Sequence, residues 1–464
     1  MCIRDSNMRK HIIIASAIIL TGCGRFLDVQ PQGEIIPKTD EEFASLIHTR
    51  LRDIEGGGDE DIIGNMETIA RLEGCADDLD ANIKPGSLDL YAGEIINTMQ
   101  LRYESIWETV RDCNIVIENL KGRNTDVARG TLAAAYSIKG ICYYNLLRSW
   151  CQPWDNDLAD ELPGIPVVDV FDITAKPLRG TLRQTYEYTD EQFRNALALN
   201  PSDKTYIFTE WIIKAYRAKL AFWCCDWDRA EKICRDIIEN SGYTLTPVSG
   251  YEAMINSKYD ATGEVMVRSH INNSSELDWY FSYMRGYIAT RPASASLIRL
   301  YGDNPEADVR YAACFDKKRM NVKTPECKVR LSEIVLMLSE SLYHLGDEEG
   351  ALRWLNELRR NRIEGAEDLA AATLPAVRKG DRIVVDALGN PVTPLLQAIL
   401  DERRKEMFME GDRWFELKRN GRPEWWVISN GLKYTTRKYL YTAPISKDDI
   451  DLNPGLEQNP GYVY

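Results

Sequence analysis

The sequence predicts a mainly α-helical protein built from paired helices, and three observations carry that prediction. Apolar residues recur at helical spacing: Ile106, Val110, Cys113 and Ile117 fall 4, 3 and 4 residues apart and form one stripe. Two segments, 214–240 and 333–362, repeat one helix–turn–helix layout around an aspartate. Proline, glycine and asparagine gather between the helical runs, where they end them.

The elements follow in chain order. Arg9 and Lys10 form a short basic region after Met8, and residues 12–20 are apolar. Nine residues at about 1.5 Å each cover about 14 Å, half of a roughly 30 Å hydrocarbon core, so 1–22 reads as a signal peptide and not a membrane span. Leu20-Thr21-Gly22-Cys23 places small residues before a cut and a thiol directly after it, which resembles the lipobox of bacterial lipoproteins. Cys23 is thus the expected lipidation site, with two or more acyl chains needed for a stable anchor. Residues 1–7 put Asp5 where basic charge belongs and read as non-native, with Met8 the true start.

Removing residues 1–22 takes away Arg4, Arg9, Lys10 and Asp5 and leaves 54 basic and 70 acidic groups, a net charge of −16. That balance disfavours nucleic acid as a partner and peripheral binding to anionic lipid. At 44% hydrophobic the chain has ample material for a large core. No other stretch approaches 18 apolar residues, so membrane contact is expected through the lipid anchor only. Besides Cys2 and Cys23 there are nine cysteines, an odd number without a CxxC pair, which is not a disulfide framework. Cys113, Cys142 and Cys234 sit among apolar helical neighbours as small core residues, and an individual bridge stays open.

After a lipidated tether over 23–38, a first helix spans 40–52 with Asp40 as its N-cap, and Gly56-Gly57-Gly58-Asp59 breaks it. Helical spacing continues through 106–117 and 132–146. Residues 151–175 carry Pro153, Pro163 and Pro166 and form a long loop, and 179–199 is helical again. In the repeated pair, aligning Ala230 with Ala351 sets Ala221 on Leu342, Phe222 on Tyr343, Asp226 on Asp347, Ile233 on Trp354 and Ile237 on Leu358. Small and aromatic residues recur at matching depths, as tetratricopeptide-type hairpins require, and such hairpins bury their apolar faces by stacking. Helical period then lapses over 243–328, apart from a short strand at 264–267. Residues 380–394 suggest a hairpin turned at Gly389-Asn390, and one helix follows from about 395 to 418. The chain divides into an N-terminal helical region (39–242), an irregular ligand or lid region (243–328) and a C-terminal region (329–464).

Several blocks together resemble the SusD/RagB nutrient-uptake lipoproteins of bacterial outer membranes. They are Phe26-Leu27-Asp28-Val29-Gln30-Pro31-Gln32-Gly33, the run from Trp107 to Asn114, and Asp226-Trp227-Asp228-Arg229-Ala230. The most specific are Glu402-Arg403-Arg404-Lys405-Glu406 with Glu410-Gly411-Asp412-Arg413-Trp414-Phe415, and Pro444-Ile445 with Asn453-Pro454-Gly455 through Asn459-Pro460-Gly461-Tyr462. The resemblance implies a mainly α fold, a tetratricopeptide-like helical-hairpin superhelix with an irregular, strand-poor second half. It also implies a lipoprotein facing the cell exterior that delivers a glycan or other nutrient to a SusC-like TonB-dependent barrel.

The chemistry of the residues points to binding without catalysis. Glu402, Glu406 and Glu410 recur every four residues, a pattern that invites general acid and base roles, but Arg403, Arg404, Lys405 and Arg413 interleave with them and favour their ionised forms. They read as an ion-paired helix that locks the C-terminal region to its neighbours. Only His48, His270 and His344 follow the signal, without HExxH spacing, and there is no GxGxxG or P-loop, so no cofactor is expected. Asp78, Asp80, Asn82 and Asp89 match positions of a calcium loop, but Ile83 stands where that loop needs glycine. For a ligand, the candidates are residues in irregular segments: Asp77, Asp78 and Tyr91, then Trp279, Tyr280, Tyr283, Tyr287 and Arg291. Trp425 and Trp426, in a loop after Arg422-Pro423, come second. A surface glycan hydrolase and a helical-repeat assembly scaffold are the competing readings.

Overall fold

The structure, a computed structural model, describes residues 37–81, 103–172, 174–257, 262–269, 290–429 and 431–463. Helix α1 (Asp40–Glu55) begins at a reciprocal cap: Thr39 Oγ1 accepts from Glu42 N, and the Glu42 carboxylate accepts from Thr39 N at 3.0 Å. Thr39 is therefore the N-cap and Asp40 the first helical residue, because the box needs its glutamate at the third helical position. Asp40 is not idle there, since it pairs with Arg123 at 2.5 Å.

Helices α2 (Met66–Cys75), α3 (Tyr103–Leu120) and α4 (Asp126–Trp150) follow. The 151–178 connection contains strand β1 (Pro163–Pro166), which pairs antiparallel with β2 (Arg179–Thr181) ahead of α5 (Leu182–Leu197). Gly140 in α4 lets α5 approach closely: a Cβ there would lie 2.7 Å from the Phe193 ring. Next come α6 (Glu210–Trp223) and α7 (Trp227–Asn240), and, after an excursion, α11 (Leu331–His344) and α12 (Glu348–Arg360). Between them lie α8 (Val248–Ile255), β3 (Val265–Arg268), α9 (Ala295–Ile298), α10 (Val309–Cys314) and β4 (Lys328–Arg330).

Stacking runs in one direction. Helix α1 lies on α3 and α4, α4 on α5, α5 on α6, α6 on α7, α7 on α11, and α11 on α12 and α13 (Pro394–Glu406). Residues 241–330 thus separate the two repeated hairpins in sequence while the hairpins pack directly on each other. Ile138, Ala215, Ile237, Leu336, Leu355 and Ile399 carry one continuous core through these layers. The fold is mainly α, a stack of helical hairpins of the kind the sequence predicted.

The short strand foreseen at 264–267 is β3, with Val267 opposite Val329 of β4. A second core of Met66, Leu79, Leu297, Tyr301, Phe315 and Phe408 ties α2 and α9 to the turn after α13. The single helix expected over 395–418 is two: α13 stops at Glu406 and α14 (Arg413–Arg419) starts afresh. Met409 and Gly411 between them have φ of 60° and 74°, a left-handed backbone that no α-helix continues through. Strands β5 (Trp425–Ser429) and β6 (Leu432–Thr436) then form a hairpin, and α15 (Lys447–Leu452) precedes the C-terminus. Trp425 and Trp426 therefore sit in a strand and not in a loop. No helix among the described residues is long and apolar enough to cross a membrane.

Candidate functional site

The polar candidates from the sequence are drawn together at the C-terminal end of α2, but against protein. Arg413 Nε donates to Asp77 Oδ1 at 2.7 Å, and Arg404 Nε to Asp78 Oδ1 at 2.6 Å. Burial pushes the Asp77 carboxyl up, and the Arg404, Arg413 and Arg382 guanidiniums outweigh it, so Asp77 stays well below the usual carboxylate range. For Asp78 burial prevails and the shift is upward. Arg291 is buried and donates to the carbonyls of Asp80, Leu79 and Gly74 at 2.9, 3.0 and 3.2 Å. Buried charges need buried partners, and Asp77, Asp78 and Arg291 find them within the protein. Of the residues in the calcium pattern, Asp78 pairs with Arg404 and Asp80 with Arg319 at 3.2 Å. Cys23, Asn82, Asp89, Tyr91, Trp279, Tyr280, Tyr283 and Tyr287 lie outside the described residues.

The three glutamates that resembled a catalytic series are each matched by cations from remote segments. Arg362 donates to Glu406 Oε2 at 2.9 Å, and Arg330 to Glu406 Oε1 at 2.6 Å. Arg310 bonds Glu402 and also Glu406, and Lys323 reaches Glu410 at 2.6 Å. Burial raises the Glu410 carboxyl, but Arg330, Lys323 and Lys328 bring it down to about 2; Glu406, against three arginines, is held well below its ordinary value. General-acid chemistry needs the opposite, a raised pKa. Glu264 completes the cluster, and sequence spacing gave no sign of it.

All nine described cysteines are buried free thiols. Burial pushes the Cys75 and Cys113 thiols up to about 12, which makes them poor nucleophiles.

An open cleft of ≈ 780 Å³ lies where the first turn of α6, the C-terminal end of α7 and β3 converge. Its aromatic walls are Trp211, the second residue of α6, and Tyr243, which follows α7 through Gly242 at φ +79°. Val265, Met266 and Val267 of β3 form an apolar floor. Gly263 turns the chain into β3, with Thr246 Oγ1 in the space a Cβ would fill; that hydroxyl accepts from Glu264 N at 3.2 Å. Lys214 Nζ sits 4.4 Å from the Trp211 ring centroid and pairs with Glu210 at 2.6 Å and Asp236 at 2.7 Å, which braces the indole. Burial raises the Tyr243 hydroxyl pKa, so it stays protonated as a hydrogen-bond donor. Ser202, Thr209 and Ser241 add polar residues to the lining. An open concavity that sets two half-buried aromatics beside an apolar floor and several polar residues is a candidate small-molecule site. The sequence reading missed it because Trp211 and Tyr243 are distant in the chain and each looks like an ordinary helix-end residue.

Trp425 and Trp426 face opposite ways from β5. Trp425 is buried under Arg382, whereas Trp426 is 55% exposed with Lys433 Nζ 4.9 Å from its ring.

Comparison with known proteins agrees with this architecture. The family described as the SusD family matches residues 315–462, and one described as "Starch-binding associating with outer membrane" matches residues 25–221. No curated protein matches the chain by sequence. Among solved structures, a SusD superfamily protein from Bacteroides thetaiotaomicron is 21% identical with a TM-score of 0.71, over 91% of this chain and 100% of its own. A SusD-like carbohydrate binding protein from Bacteroides vulgatus is 16% identical with a TM-score of 0.67, over 90% and 98%. A laminarin binding SusD-like protein is 15% identical with a TM-score of 0.61, over 91% and 99%. At these identities the structures share the fold.

Proposed function

Since the chain belongs to the SusD family, matched by family models over 25–221 and 315–462, we propose that it captures a glycan at the cell exterior and passes it unaltered to a SusC-like TonB-dependent outer-membrane barrel. In this reading Cys23 carries the lipid that holds the protein to the outer membrane, and the chain needs no cofactor. The observation that carries the binding role is the Trp211–Tyr243 cleft. Sugar rings present apolar C–H faces that lie flat on aromatic rings, and their hydroxyls take up the polar groups of the rim. The absence of turnover is supported by the Glu402, Glu406 and Glu410 pairs, which hold those carboxylates ionised and buried.

Calorimetry of the purified protein with laminari- and malto-oligosaccharides, followed by analysis of the recovered sugar, tests this reading. Saturable binding with the oligosaccharide recovered intact is the expected result. Released shorter sugars would instead make the protein a hydrolase. Failure to bind any glycan, with capture of other lipoproteins, would make it an assembly scaffold. Purification from membranes with a large β-barrel in stoichiometric amount tests the delivery step.

A further inference from the structure

We infer that the Trp211–Tyr243 cleft selects uncharged oligosaccharides over those bearing carboxylates or sulfates, an inference that rests on the cleft's being a glycan site. Recognition of an ionised sugar calls for a guanidinium fork or a cluster of cations whose charge is open to the ligand. The cleft's cations are arranged otherwise. Arg268, at the end of β3, is buried and bonded to the Glu326 carboxylate, which also pairs with Lys328 at 2.9 Å, and so is closed to a ligand. Lys214, which lies over the Trp211 ring, is held between Glu210 and Asp236. Lys204 is exposed on the rim, but so is the carboxylate of Glu55.

Among the described residues the lining thus carries Lys204 and Arg268 against Glu55 and Glu210, a sum of zero. A carboxylate or sulfate entering it would lose hydration and meet the exposed Glu55 at the mouth, while the one arginine among the described lining residues, Arg268, is buried against Glu326. The field of the whole chain points the same way, because a net charge of −14 lowers the local concentration of a polyanion and slows its approach. What remains is apolar and neutral: two aromatic walls, the β3 floor, and the polar residues Ser202, Thr209 and Ser241.

The test compares oligosaccharides of equal length by calorimetry: laminarihexaose and maltohexaose as neutral probes, hexagalacturonate and a heparin hexasaccharide as acidic ones. The expected result is at least tenfold tighter binding of a neutral probe, with an affinity that does not change between low and high salt. Trp211→Ala and, independently, Tyr243→Ala should each weaken it tenfold or more, and Glu55→Lys should narrow the preference by improving acidic binding. Tighter, salt-sensitive binding of an acidic probe would overturn the selectivity and leave the glycan-receptor reading standing. Neutral binding that ignores both aromatic variants would place the site elsewhere and overturn the inference. No binding of any probe would remove the receptor reading and the inference with it.

Discussion

Arg362 and Glu264 are joined through both carboxylate oxygens, at 2.7 and 2.8 Å from Arg362 Nη2, with neither side chain accessible to solvent. The contact links the end of α12 to the residue that enters β3. Arg362 reaches onward to Glu406 of α13, and Arg330 reaches both glutamates from β4. Four segments separate in sequence are therefore closed around one set of buried charges. Burying them costs much desolvation, so they specify how the irregular half docks on the helical stack more than they stabilise it.

Removing one partner should show this. Arg362→Met leaves Glu264 and Glu406 short of a cation in a dry interior and should cost roughly 3–5 kcal/mol in urea unfolding. Adding Glu264→Gln to that variant should restore part of the loss. A single variant within 1 kcal/mol of the parent would mean that water reaches the cluster.

The turn between paired helices is equally specific. Cys225 N donates to Phe222 O and Asp226 N to Ala221 O; Gly346 N donates to Tyr343 O and Asp347 N to Leu342 O, bond for bond. Both middle residues are left-handed, Cys225 at φ 54° and Gly346 at φ 83°. Gly346→Ala should therefore destabilise by about 1 kcal/mol, and Gly346→Asn by less, since asparagine tolerates that region. Equal urea midpoints for the two variants would contradict the strain argument.

How much of this was legible follows from the range of each interaction. The hairpins were readable because Asp226 and Asp347 serve two local roles, ending one helix and capping the next, and local roles leave local patterns. The break after Glu406 was hidden because left-handed Met409 looks like any helical methionine. The ion pairs of Glu402, Glu406 and Glu410 were foreseen in kind, but their partners Arg310, Arg330 and Arg362 are set by tertiary packing. Strands β5 and β6 did leave a signal, an Asn430-Gly431 pair between the β-prone runs 425–429 and 432–436, which the reading of Trp425 and Trp426 as a loop passed over. The cleft left none, since Trp211 and Tyr243 meet only when α6, α7 and β3 are packed.

The Trp211–Tyr243 cleft and the exposed Trp426 can be separated by substitution. If Trp211 stacks a sugar, Trp211→Ala should weaken glycan binding tenfold or more, about 1.4–3 kcal/mol, within the range known for base–aromatic stacking. Trp426→Ala on β5 should leave the affinity unchanged while preserving the fold, since Trp426 is mostly exposed. The reverse pattern in calorimetry would move the site to the β5–β6 hairpin.

Buried carboxylates should give the stability profile two slopes. Glu410 is depressed to about 2 from an ordinary 4.5, so its contribution is complete above about pH 4.5 and is lost as pH falls toward 2. Glu73 behaves oppositely. Burial, then the Asp78 carboxylate, raises it to about 8, and the bond from Gly411 N at 3.1 Å opposes this without prevailing. A raised carboxyl stabilises the folded state fully below about pH 4.5 and progressively less up to pH 8, where an ionised Glu73 must be held beside Asp78. Glu73→Gln removes that ionisation, so the variant should gain on the parent between pH 5 and pH 9, by on the order of 3 kcal/mol. Urea midpoints of both proteins at the two pH values measure the gain directly, and a difference that stays constant with pH would show that Glu73 is ionised throughout or solvated in the fold.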